Sequence, residues 1–166
     1  MDDAAAAMIL LVLVGLVIII YVIMQGGRRL PSDVGGISKE MDSDFASKTD
    51  FEKGVARLKK GCYLESVNYL LAELERADLT DDQRVDCYYY LGIAYRKLGV
   101  FRMAIDTLEQ AVGFRPDFAE AYIELGRAHE DNDSFELAAE AYGRAVEIDG
   151  SLSDAQQGLE RVRRRL

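Results

Sequence analysis

The stretch YYYLGIAYRKLGVFRMAIDTLEQAVGFRP, residues 88–116, decides the fold. Its Leu-Gly pair at 91–92 recurs at 125–126, 34 positions later. The same shift places Ala104 on Ala138, Leu108 on Tyr142, and Ala111 on Ala145. A period of this length is typical of stacked helix pairs, in which each unit buries its apolar face against the next. The sequence therefore predicts an all-α array of helical hairpins.

These residues resemble the tetratricopeptide repeat (TPR) family, whose pattern runs aromatic, Leu-Gly, Tyr, Ala, aromatic or Leu, Ala and Pro. The unit at 85–118 supplies Tyr88, Leu91, Gly92, Tyr95, Gly99, Ala104, Leu108, Ala111 and Pro116. The unit at 119–152 departs from the pattern with His129 for Tyr, Asp133 for the turn Gly, and Gly150 for Pro.

The resemblance covers residues 47–152 and implies a three-repeat helical-hairpin solenoid. The predicted TPR domain spans 47–166, with repeats at about 47–80, 85–118 and 119–152 and a capping helix at 153–166. The first repeat is degenerate, because Lys53 and Arg57 stand where the family keeps apolar residues.

An apolar stripe on the first helix of that degenerate repeat consists of Phe51, Val55 and Leu58. Its i, i+4, i+7 spacing places the three side chains on one helix face. The stripe fits the core, which we favour, or the family's binding groove. Phe51 and Val55 are therefore kept as groove candidates.

Helix starts are predicted from capping patterns. Thr80 to Gln83 and Ser153 to Gln156 each indicate a capping box, and Ser134, within the turn DNDSF at 131–135, is predicted to cap the next helix. In the capping helix, a predicted apolar stripe consists of Ala155, Leu159, Val162 and Leu166.

The N-terminal segment predicts a single transmembrane helix. Residues 4–24 form a run of 21 residues without a charge, long enough to cross a bilayer as a helix. A cleaved signal peptide is the alternative, but acids at positions 2 and 3 replace its positive n-region, and the run is too long. We expect a membrane anchor at 1–24 and a flexible linker at 25–46, rich in Gly, Ser and charge.

The charges beside this span predict its orientation. Arg28, Arg29 and Lys39 follow the apolar run, whereas only acids precede it. By the positive-inside rule, the N-terminus lies outside and the TPR domain in the cytoplasm. We expect a single-pass protein of a bacterial inner membrane.

Composition argues against several other functions. The net charge is −9, and residues 118–160 hold 11 acids against two arginines, so binding to nucleic acid is not expected. The only histidine, His129, replaces an inward-facing tyrosine and is predicted to be a hydrogen-bonded core residue. No pattern indicates an enzyme, a cofactor, a metal site or a small-molecule substrate.

In the TPR family, the first helices of successive repeats line a concave groove that accepts peptides or partner helices. Helical geometry selects the side chains that face it. The predicted partner-binding residues are Tyr89, Ile93, Arg96, Ile123, Arg127, Glu130, Phe51 and Val55. Tyr88, Tyr89 and Tyr90 diverge by about 100° per residue and should not form one platform. Tyr88 is assigned to packing between helices, Tyr90 to the groove edge and Tyr89 to ligand contact.

The resemblance does not extend to the chaperone-binding members of the family. Their clamp of Lys, Asn and Arg residues is replaced here by Phe51, Val55, Tyr90, Glu120 and Glu124. An acidic chaperone tail would meet the two glutamates and be repelled.

The sequence thus predicts a membrane-tethered TPR scaffold or adaptor. It would bind a peptide segment or amphipathic helix of a protein partner during assembly or regulation of a membrane or envelope complex. The alternatives are a permanent accessory subunit of a membrane enzyme complex and a periplasm-facing pilus or envelope assembly factor.

Overall fold

Helices and short turns alternate through residues 45–166, the part of the chain that this computed structural model describes. Residues 45–47 are helical and precede seven longer helices. These are α1 (Asp50–Lys59), α2 (Tyr63–Leu74), α3 (Asp81–Lys97), α4 (Phe101–Phe114), α5 (Ala119–Asp131), α6 (Phe135–Ile148) and α7 (Ser153–Arg163). The all-α prediction is confirmed for this part of the chain.

The helices form two layers. Each packs against its neighbours along the chain, and α1, α3, α5 and α7 also contact one another in that order. No comparable contact joins α2 to α4, or α4 to α6, within residues 45–166. We call α1, α3 and α5 the first helices and α2, α4 and α6 the second helices. The first helices and α7 form one row. Its exposed side corresponds to the concave groove that the family resemblance implies, and we call it the concave face.

One contact recurs between the two helices of every hairpin. A Cβ atom placed on Gly92 would lie 2.5 Å from Cγ of Leu108, and one on Gly126 would lie 2.8 Å from the Tyr142 ring. Gly54 has the same relation to Leu70, at 2.7 Å. Real side chains do not approach so closely, so only glycine admits the partner residue. The degenerate first repeat therefore keeps the packing of the other two.

Two apolar cores follow from this packing. Leu70, Leu91 and Leu108 belong to the first, and Tyr142 lies at the centre of the second. Helix α7 closes the second core with Ala155 and Val162, which are fully buried. Leu166 is 63% exposed and lies beyond α7, so its predicted place in the apolar stripe is wrong.

The capping predictions have mixed outcomes. The Thr80 box is confirmed. Thr80 Oγ1 accepts from the backbone N–H of Gln83 at 3.3 Å, and Gln83 Oε1 accepts from the backbone N–H of Thr80 at 2.9 Å. The Ser153 box is wrong, because the N-cap of α7 is Leu152 and has no side-chain cap. Leu152 packs against the second core, which places the helix start one residue earlier.

Ser134 is the N-cap of α6, as predicted, but its hydroxyl does not cap the helix. The reason is the turn that precedes each second helix. Gly61, Gly99 and Asp133 adopt left-handed conformations, with φ of 78°, 78° and 57°. The N-cap residue that follows has ψ of 69° at Ser134, against 161° at Thr80. The Ser134 hydroxyl instead donates to the Asn132 carbonyl, at 3.4 Å.

The predicted membrane anchor and most of the linker lie outside the described residues. Among residues 45–166, no helix combines the length and hydropathy needed to span a bilayer.

The glycine contact can be tested with two Gly→Ala changes. We expect Gly92→Ala to lower the free energy of unfolding by about 1–3 kcal/mol, because the added methyl overlaps Leu108. Gly143 is the control, since a Cβ there meets nothing within 4 Å. Gly143→Ala should raise stability by about 0.5–1 kcal/mol, as expected for a helix interior. Urea unfolding followed by circular dichroism measures both, and equal stability of the two variants would contradict the packing constraint.

Candidate functional site

Four aromatic rings form a connected row across the first helices. Phe51 of α1 contacts Tyr90 of α3, with ring centroids 5.7 Å apart, and Tyr90 contacts Tyr89 at 5.1 Å. Tyr89 then contacts Phe118, the N-cap residue of α5, at 4.9 Å. All four side chains are half-buried. We call this row the aromatic ladder; it runs along the concave face from α1 through α3 to the N-cap of α5.

The three consecutive tyrosines divide differently from the prediction. Tyr88 lies apart and stacks on Phe114 of α4, at 5.9 Å with the ring planes 15° apart, which agrees with its predicted packing between helices. Tyr89 and Tyr90, however, contact each other edge to face. The 100° divergence separates the Cβ directions, but long side chains can still meet at their tips. Tyr90 is therefore part of the same aromatic surface as Tyr89.

Beside the ladder, a buried carboxylate holds two arginines. Glu124 is only 7% exposed. Its Oε2 accepts from Arg96 Nε at 3.2 Å and Nη2 at 3.0 Å, and its Oε1 accepts from Arg127 Nη1 at 2.5 Å. Arg96 also bonds Asp131, and Arg127 also bonds Asp154. These bonds join α3 to α5, and α5 to α7.

Several predicted groove residues thus have internal partners. The Arg96 side chain is 13% exposed, so its guanidinium acts mainly as a tie between α3 and α5. Ile123 is 6% exposed and belongs to the second core, although it borders the concave face. Val55 and Ile93 are half-buried. The partner-binding role of these residues stays a prediction.

Glu130 is also an internal tie. Its side chain, 14% exposed, accepts two bonds of 2.7 Å from Arg161 of α7 and one of 3.1 Å from the Tyr142 hydroxyl. The bond from Arg161 is the largest cause that holds the pKa of the Glu130 carboxyl below its usual value. Glu130 therefore fastens the capping helix to the last repeat.

The apolar stripe on α1, which the sequence placed either in the core or in the groove, contributes to both. Phe51 and Leu58 both pack against the first core, which agrees with the favoured prediction that the stripe lies in the core. Phe51 also enters the aromatic ladder through Tyr90. The sequence had posed core and groove as alternatives, and Phe51 belongs to both.

A depression of about 220 Å³ lies between α3, α5 and α7, at one end of the ladder. Tyr89, Ile123 and Leu152 contribute its apolar lining. Its charged lining residues are Glu120, Glu124, Arg127 and Asp154. Burial, followed by the negative charge of Glu124, raises the pKa of Tyr89 to about 12. Tyr89 is thus a neutral phenol in a negative environment.

The Cys87 thiol and the His129 imidazole are both buried. Burial raises the pKa of Cys87 to about 12, so the thiol is not ionised at neutral pH. Burial lowers the pKa of His129, which is 7% exposed. His129 is a core residue as predicted, but its Nδ1 has no hydrogen-bond partner within residues 45–166, so the predicted bonding is wrong at that atom.

The Glu130 tie generates a pH prediction. Because its pKa is lowered on folding, its contribution is complete above the unfolded value of about 4.3 and is lost as pH falls through the folded pKa. We expect Glu130→Gln to cost about 1 kcal/mol at neutral pH. The difference between wild type and variant should shrink below about pH 4.

Urea unfolding at a series of pH values measures this difference. Glu109→Gln is the control, because Glu109 is exposed, lies away from both ends of α4 and forms no ion pair with any residue of 45–166. A Glu130→Gln penalty that is the same at all pH values would show that charge is not the cause.

Comparisons with known proteins agree with this geometry. The sequence model of the tetratricopeptide repeat matches residues 85–118 and 119–151. The first TPR of Spaghetti (RPAP3), bound to the HSP90 peptide SRMEEVD, is 22% identical, with a TM-score of 0.63 over 70% of this chain and 89% of that one. The Sgt2 TPR domain from Aspergillus fumigatus is 23% identical, with a TM-score of 0.63 over 70% and 76% of the two chains.

A third similar structure is MamA, residues 41 to the end, from Desulfovibrio magneticus RS-1. It is 24% identical, with a TM-score of 0.62 over 70% of this chain and 63% of that one. At such identities the likeness establishes the fold. Residues 85–118 and 119–151 are therefore tetratricopeptide repeats, part of an all-α helical solenoid that fills residues 45–166.

Proposed function

We propose that this chain is a membrane-tethered scaffold whose concave face binds a segment of a protein partner. The observation that carries the proposal is the aromatic ladder. Its rings are half-buried in the free chain, so an incoming segment can cover them further. Aromatic side chains concentrate binding energy in protein interfaces. A row across three helices suits an extended segment or one face of a helix.

A relative of the same fold supports the binding of a peptide. The first TPR of Spaghetti is bound to an HSP90 peptide, SRMEEVD. We extend to this chain the binding of a peptide segment, but not the acidic character of that peptide. Glu120 is exposed on the concave face and forms no ion pair with any residue of 45–166. An acidic segment would meet this uncompensated charge.

The membrane tether rests on sequence. Residues 4–24 are uncharged and long enough to cross a bilayer, and Arg28 and Arg29 follow them. The tether would hold the repeats at the cytoplasmic side of a bacterial inner membrane. The partner would then be a membrane protein or a component of a complex assembled there.

The ladder proposal is tested by replacing Tyr89. We expect Tyr89→Ala to abolish capture of the specific partner from membrane extracts, because the change removes two ring contacts from the middle of the ladder. Tyr88→Ala is the matched control, since Tyr88 stacks on Phe114 outside the ladder. Mass spectrometry of captured proteins, with circular dichroism of both variants, measures the outcome.

Partners retained by folded Tyr89→Ala as well as by Tyr88→Ala would contradict binding at the concave face. Arg96→Glu is not a useful test of binding, because Arg96 joins α3 to Glu124 and Asp131. Its loss would alter the fold as well as the face.

The tether and its orientation are tested with C-terminal fusions. We expect a fluorescent-protein fusion to be bright and membrane-bound, and an alkaline-phosphatase fusion to be inactive, because the repeats remain in the cytoplasm. The fluorescent fusion without residues 4–24 should move to the soluble fraction. An active phosphatase fusion would instead support the periplasm-facing alternative, and a full-length fusion in the soluble fraction would contradict the tether.

A further inference from the structure

We infer that the depression between α3, α5 and α7 receives a lysine or arginine side chain of the partner segment. The inference rests on the proposed binding at the concave face and states the chemistry of its occupant. An apolar residue next to that cation would lie on the aromatic ladder.

The size and lining of the depression suit one long side chain. Its volume of about 220 Å³ is below the range of pockets that hold drug-sized ligands, roughly 300–1,000 Å³. Tyr89, Ile123 and Leu152 line it with apolar surface. The methylene stem of lysine or arginine packs well on such a surface while its charged end stays near water.

The charges of the lining favour a cation. Three carboxylates, of Glu120, Glu124 and Asp154, meet one guanidinium, that of Arg127. Glu124 is already neutralised by Arg96 and Arg127. The Asp154 side chain is 60% exposed, with a single bond to Arg127. Glu120 is exposed and unpaired within residues 45–166. Glu120 is thus open to a partner, whereas Asp154 is exposed but already bonded to Arg127.

The cations of the concave face are not open in the same way. Arg127 already bonds both Glu124 and Asp154, and Arg96 bonds both Glu124 and Asp131. An anionic partner would have to displace a carboxylate that is held in place. A cationic partner displaces nothing and meets Glu120 directly. Charge complementarity therefore selects a basic segment over an acidic one.

The test uses the full chain, immobilised in detergent micelles, and a library of random peptides. We expect the selected peptides to carry arginine or lysine at one position beside an aromatic or aliphatic residue. In the best peptide, citrulline in place of the selected arginine, or norleucine in place of a lysine, should weaken binding about tenfold, because it removes the charge. Glu120→Gln should weaken it about fivefold, the scale of an exposed pair. Fluorescence anisotropy measures each affinity.

Controls separate this inference from the proposed function. Glu136→Gln makes the same change of charge on α6, outside the depression, and should leave the affinity unchanged. Peptides that need Tyr89 but show no preference for a cation, or prefer acidic residues, would overturn the inference and leave the proposed binding face intact. Peptides that bind Tyr89→Ala as well as wild type would overturn both the inference and the proposed binding face. Recovery of no binding peptide from the library would also overturn both.

Discussion

The structure depends on the insertion of one second-helix side chain into the space that a glycine leaves on the first helix. Leu70, Leu108 and Tyr142 fill this place in the three hairpins, and Tyr142 is enclosed from the other side by Gly158 of the capping helix. The contact sets both the distance between the two helices and the rotation of each about its axis. The glycine face of each first helix is therefore turned towards the second helix of the same hairpin. The face that carries Tyr89 and Glu120 is consequently left on the concave side.

A second layer of interactions holds successive repeats together. Glu124 bonds arginines from two helices, and Glu130 joins α5 to the capping helix through Arg161. Loss of one partner of a buried ion pair leaves the other charge unpaired, and Glu124, which is 7% exposed, is the carboxylate for which that loss costs most. Charged residues that helical geometry predicts for a binding groove therefore form bonds that hold the helices together. The aromatic ladder and the unpaired Glu120 are what remain for a partner.

Much of the fold could be predicted from local patterns. The 34-residue period and the Leu-Gly pairs located the hairpins, and Thr80 with Gln83 located the start of α3. The side-chain caps predicted at Ser134 and Ser153 are not formed, because turn geometry and core packing decided those helix starts. Less of the candidate site could be predicted from the sequence. Phe118 was missed entirely, although its position just before the third repeat's first helix could have indicated it.

The sequence by itself determined the helices, their pairing into hairpins and the faces that are buried. These depend on periodicity and on small residues at fixed spacings, which are properties of neighbouring positions along the chain. Only the tertiary structure decided which groove residues are free. Whether Arg96 or Glu120 is open to a partner depends on distances to side chains on other helices, about 28 positions away for Arg96 and Glu124. The spacing of residues within one helix carries no information about those distances.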